Sequence, residues 1–349
     1  MSNGILCPQR DQPVGLPPKA ERDNQEHDHR VEQQTKEAVV GVFTFTPTWV
    51  IQDVIVYLFA IVTTLFIVKH EKHPASVILE FVCFVLLYAA VFENFATLMG
   101  LYGYGRSVLM IFNVPMSVPV MEFMVVYGGL RLADAMTMPE WCKPIFVGVM
   151  GILTDFSLDP LAVSQRFATR EGTIGRWTWF PGAVDIQIHN IPIYNFTGWF
   201  LLCGFAAVFL LLARWWYRKT GYNNTVGFLY PPLAMLLSLG VLVSPLSSFL
   251  LWLGPIFKKG GVTEVIMLCF AFALFIVVMI IWRGRMKSSL SLREDYLILM
   301  ASIGFHVSNL LFAVIGGFWD ILYITVPFAV VHTLLILYIF RRGVKLGQT

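Results

Sequence analysis

The chain has 349 residues, of which 57% are hydrophobic and only 13% charged, whereas a soluble domain carries roughly 25% charged residues; it reads as an integral, multi-pass membrane protein. The net charge of +3 is small and the basic residues are scattered among loops that flank apolar runs, a pattern that excludes nucleic acid as a partner. Five cysteines stand singly with no C-x-x-C, which excludes a disulfide framework and a zinc knuckle.

In chain order, residues 1–45 come first, a polar stretch (QRDQPVGLPPKAERDNQEHDHR within it) with no short apolar segment. They are expected to be a disordered tail rather than a cleaved signal peptide. Apolar stretches long enough for a ~30 Å hydrocarbon core, about 20 residues each, then fall at about 49–68, 75–100, 107–132, 143–155, 194–217, 228–252, 262–282, 295–316 and 319–340. The expected fold class is an all-α polytopic bundle of eight or nine transmembrane helices. Residues 46–217 are expected to form its core, and 218–349 additional helices.

The second stretch ends in TLMGLYGYG, where glycines favour a turn and tyrosines suit the interface. Pro115 and Pro119 predict a kink in the third. The fourth is short, as expected of a half-span or re-entrant element. Residues 156–193, with TREGTIGRWTWFPGAVDIQIHNIPIYN, are too rich in tryptophan and apolar residues for disorder and predict a structured surface segment. Lys69, Lys72, Arg131, Lys143, Arg214, Arg218, Lys219, Arg283, Arg285, Lys287, Arg293, Arg341, Arg342 and Lys345 fall on one side if there are nine spans. The positive-inside rule makes that side cytoplasmic and puts 156–193 opposite.

Ionisable residues within spans are costly and mark functional sites by default. They are Glu80, Glu93, Glu122, Asp134, Asp155, Asp159, Asp185, His189, His306 and His332, with Asn94, Asn113, Asn195 and Asn309 as polar neighbours. Glu93 and Glu122 each admit a structural reading, as a carboxyl bonded to a neighbouring helix. Asp159 precedes Pro160 and suits the start of a new helix, so its plain reading is an N-cap. Asp155 has no such role. If the helix runs through this turn, the i, i+4 spacing places Asp155 and Asp159 on one face, an arrangement in which one carboxyl holds a proton for acid catalysis.

Cofactor sites fail on spacing. The intramembrane histidines are isolated, so the clustered boxes of a di-iron enzyme are missing. GLYGYG lacks the intervals of a dinucleotide loop. Asp155-x-x-x-Asp159 resembles the Mg²⁺-diphosphate carboxylates of membrane prenyltransferases, but no second acidic cluster with basic partners accompanies it. No metal and no cofactor is therefore expected, and acid chemistry in an apolar, aromatic cavity remains.

A span carrying Glu93, the turn GLYGYG, VPMSVPV, TDFSLDP, WTWF and IHNIPIYNFTGWF follow one another over about residues 75–217. In this order they resemble the membrane carotenoid-biosynthesis proteins that include the 1,2-hydratases of γ-carotene and bisanhydrobacterioruberin. The resemblance implies addition of water across a terminal C=C bond of an acyclic carotenoid end, without a redox cofactor. It carries over to Glu93, Tyr102, Tyr104, Asp155, Asp159, Pro160, Trp177, Trp179, Pro192, Asn195 and Trp199. The chain departs from the family pattern at Glu122, where an aromatic residue is usual, and at His189-Asn190, where a tyrosine-glycine pair is usual.

The expected mechanism has Asp155 as the acid, with Asp159 sharing its proton. Glu93 holds the water or takes its proton, Glu122 is a further catalytic or pore-lining carboxyl, and His189 and Asn195 assist. Tyr102, Tyr104, Trp177, Trp179, Asn195 and Trp199 contact a hydrophobic isoprenoid or carotenoid substrate. Two other readings stay open: an acid-initiated isoprenoid cyclase or isomerase, and a proton-responsive lipid or isoprenoid carrier.

Overall fold

A computed structural model describes residues 47–169, 172–252, 261–282 and 295–346. The polar tail and the basic residues Arg283, Arg285, Lys287 and Arg293 lie outside the described residues. Ten helices account for most of the rest: α1 (Thr48–His70), α2 (Pro74–Leu98), α3 (Ser117–Ala135), α4 (Lys143–Ser164), α5 (Ile193–Lys219), α6 (Asn224–Leu242), α7 (Pro245–Trp252), α8 (Val262–Trp282), α9 (296–315) and α10 (Leu322–Leu346). Seven of the nine predicted spans are long and apolar enough to cross a membrane. The other two are α3, which carries Glu122, Arg131 and Asp134, and α9, whose apolar part Met300–Ile315 is short.

Prolines and caps set several boundaries. Pro74 and Pro144 occupy the first turns of α2 and α4, where a missing N–H costs nothing. The Asn223 side chain accepts from Thr225 N and Val226 N to start α6. The predicted sixth span is broken at Val243–Ser244, where the chain leaves α6 and restarts as α7.

The third span begins at Ser117, ten residues later than expected, because residues 110–115 form a short hairpin of β2 (Met110–Ile111) and β3 (Val114–Pro115). Pro115 lies in β3 and Pro119 in the first turn of α3, so neither breaks a span. The fourth segment is a complete 22-residue helix rather than a half-span. Pro160 sits inside it and does not open a new helix, so Asp159 is no N-cap. Pro160 forfeits one backbone donor, while the turn beyond it stays closed by Gln165 N donating to Leu161 O.

Helix α4 is the hub. It is buried over nearly its whole length and packs against α3, α5, α8, α9 and α10. Close approach to α5 depends on Gly148 and Gly151, where an added Cβ would lie 2.6 Å from the Phe200 ring and 2.8 Å from Cys203 Sγ respectively. Phe156 is stacked between Phe196 and Phe328, with centroids 3.8 Å apart on each side.

One end of the bundle is covered by four two-stranded ladders: β1 (Tyr102–Tyr104) with β6 (Trp177–Trp179), β2 with β3, β4 (Arg166–Thr169) with β5 (Gly172–Gly175), and β7 (Gln187–Ile188) with β8 (Ile191–Pro192). The predicted loop 156–193 is therefore a structured cover, although it starts only at Gln165. His189 and Asn190 are the two central residues of the β7–β8 hairpin, and both have positive φ, 51° and 60°. This geometry is that of a type I′ turn, where a glycine or asparagine is the ordinary choice.

Candidate active site

Beneath the cover, α2, α3, α4 and α5 enclose a cavity lined by Glu93, Tyr102, Tyr104, Val118, Glu122, Asp159, Trp177, Trp179, Asn195 and Trp199. The volume open to the centres of water-sized molecules is about 20 Å³. As it stands, this space fits water-sized molecules rather than an extended ligand.

Because α4 continues through Pro160, Asp155 and Asp159 do share one helix face. Asn195, in the first turn of α5, reaches both: its Nδ2 donates to Asp155 Oδ2 and to Asp159 Oδ2, at 2.7 Å each. All three side chains are buried, and the two carboxyls lie within hydrogen-bonding reach of each other. Asp159 forms part of the cavity wall, whereas Asp155 lies one turn behind it, away from the lining.

The second carboxyl pair faces the same space. Glu93 Oε2 accepts from Tyr102 Oη at 2.6 Å and also from Tyr104 Oη. The Glu122 carboxyl meets that of Glu93, a contact that requires a proton on one of the two groups. Since Glu93 Oε2 already accepts two phenols, the shared proton belongs on the Oε1 side or on Glu122. Burial pushes the Tyr102 and Tyr104 phenols well above the usual tyrosine range, and the neighbouring Glu93 adds to this. Both therefore remain donors at neutral pH.

Strand pairing supplies the aromatic wall. In the β1–β6 register Tyr102 faces Trp179 and Tyr104 faces Trp177, with ring centroids 4.5 Å and 5.5 Å apart. Such ring faces stabilise a developing cation.

His189 is not part of this assembly. Its Nε2 bonds Ser164 Oγ at 2.9 Å, and the residue lies in the turn of the β7–β8 hairpin, outside the cavity lining. His306 and His332 form a separate buried chain with Ser157, at 2.7 Å and 2.8 Å.

A further cluster ties the cover to α1. Asp53 Oδ1 accepts from Arg176 Nη2 at 3.1 Å and from Ser117 Oγ at 2.7 Å. Gln52 Oε1 accepts from Arg176 Nη1 and Gln165 Nε2. Arg176 immediately precedes Trp177, so this cluster sets the position of β6. Sequence reasoning passed over Asp53, although a lone aspartate inside the apolar run of the first span is the signal that should have marked it.

No curated protein and no solved structure matches the chain. A family model does match, over residues 52–260, and the chain accordingly belongs to the family of carotenoid biosynthesis proteins.

Proposed function

We propose that this protein hydrates a terminal C=C bond of an acyclic carotenoid or similar isoprenoid. One observation carries the reading: Asp159 and the Glu93–Glu122 pair line the same aromatic cavity, so a proton donor and a proton acceptor face one reacting group. The Asp155–Asp159 pair delivers a proton to the less substituted alkene carbon, with Asp159 as the delivering carboxyl, and the π electrons form the new C–H bond. The tertiary cation at the gem-dimethyl carbon lies against the tyrosine and tryptophan faces. A water lone pair forms the C–O bond, and the water proton passes to the Glu93–Glu122 pair.

No electron leaves the system, so the step calls for no redox cofactor. Each proton transfer contributes about 10²–10⁴-fold, and preorganised dipoles and ring faces contribute the rest. A proline-broken third span would favour a carrier, but Pro115 lies in β3 and Pro119 in the first turn of α3.

Isotope labelling tests the proposal. In H₂¹⁸O the product hydroxyl should carry ¹⁸O, and in D₂O deuterium should appear on the adjacent carbon. Label taken from ¹⁸O₂ would overturn hydration in favour of oxygenation. A product without hydroxyl would move the assignment to an acid-initiated cyclase or isomerase.

A further inference from the structure

Two buried indole N–H groups of the candidate site, Trp177 Nε1 and Trp179 Nε1, have no hydrogen-bond partner. Orphaned buried groups are rare in folded proteins, and each calls for an explanation. Both are obligate donors, and the wall they share carries Glu122 and Asp159, whose Oε2 and Oδ1 have no partner beyond the neighbouring carboxyl of each pair. The two indoles sit next but one to each other on β6, so both rings lie on the same side of the strand. Trp177 is only 6% exposed, so neither the membrane nor bulk water explains its free N–H.

Resting on the hydration reading, we propose that the indole N–H groups of Trp177 and Trp179 form the donor side of an oxygen-binding site that holds the attacking water and then the product hydroxyl. Water complements this inventory. One lone pair accepts an indole N–H, one O–H donates to a carboxyl oxygen of the cavity wall, and the second lone pair remains to form the C–O bond. A hydrocarbon alone would leave both indole N–H groups unpaired. The indoles are thus positioning residues for the nucleophile, in addition to any contact with the polyene.

The test separates protonation from capture. Purified protein in detergent is given an acyclic carotene with terminal isopropylidene ends, in D₂O. Two quantities are measured: alcohol formed, and deuterium in the recovered alkene, which reports a cation that lost a proton before water arrived. Trp177→Phe and Trp179→Phe keep an aromatic face and remove the N–H. Each should lower alcohol formation roughly tenfold, the worth of one buried hydrogen bond, while deuterium in the recovered alkene persists or rises. Trp177→His and Trp179→His, which restore a ring N–H, should recover part of the alcohol. If alcohol and deuterium fall in equal proportion, or if alcohol is unchanged in the Phe variants, the proposal is overturned. Should the wild-type protein form no alcohol at all, the hydration reading fails first.

Discussion

Of the two paired aspartates Asp159 is the one that reaches the cavity, and Asn195, which also lines the wall, bonds both it and Asp155 behind it. Replacing Asp159 with asparagine keeps the volume and the contact with Asn195 but removes the acid. Turnover of Asp159→Asn should fall by about 10²–10⁴-fold while thermal stability stays near wild type. Asp155→Asn should fall less, since Asp155 acts through its neighbour. Equal activity of Asp159→Asn and wild type would remove this residue from the reaction. These residues were legible in the sequence because four-residue spacing on a helix is local information. Arg176 and Asp53, 123 residues apart, were not, since only the tertiary fold brings them together. Asp155 was also the expected acid, and no periodicity distinguishes which of two carboxyls on one face stands nearer to a cavity.

At the scale of elements, the cover is held to the bundle by the buried Asp53–Arg176 pair, whose side chains are 1% and 7% exposed. Arg176→Leu leaves Asp53 buried without its cation and should cost about 3–5 kcal/mol, read as a lowered unfolding midpoint in detergent. Arg176→Leu combined with Asp53→Leu should recover much of that loss, because no unpaired charge remains. Additive losses in the double variant would show that the two residues contribute independently. Helix ends were the least legible feature of the fold. Two aspartates and a proline made the fourth span read as short, whereas inside the bundle Asn195 donates to one oxygen of each carboxyl and α4 runs its full length. The β2–β3 hairpin was likewise hidden in an apolar run, since MIFNVP carries no charge to mark the boundary.

The whole molecule has two unlike ends. The family match, at residues 52–260, extends beyond the 75–217 stretch in which motifs could be recognised, and so takes in α1 with Asp53, α6 and α7. Motifs were visible only where polar and aromatic residues cluster, around the covered end; spans such as α6 are too uniformly apolar to carry one. At the opposite end lie Lys69 in the last turn of α1 and Lys72 just after it, Arg131 near the end of α3, Lys143 at the start of α4, and Arg218 and Lys219 at the end of α5. Contacts tie this end together: Arg131 pairs with Glu71 and Asp295, and Lys72 lies over the Tyr222 ring. The positive-inside rule therefore predicts that this end faces the cytoplasm and that the cover, with the cavity beneath it, faces the opposite side. Single cysteines in a cysteine-free background provide the check. Val108 in the cover and Trp141 between α3 and α4 are 59% and 66% exposed, so a cysteine at either position is open to reagent without disturbing packing. A membrane-impermeant thiol reagent added to intact cells should label Val108→Cys, and should label Trp141→Cys only after permeabilisation. The reverse pattern would invert the orientation and put the cavity on the cytoplasmic side, leaving the fold and the carboxyl pairs unchanged.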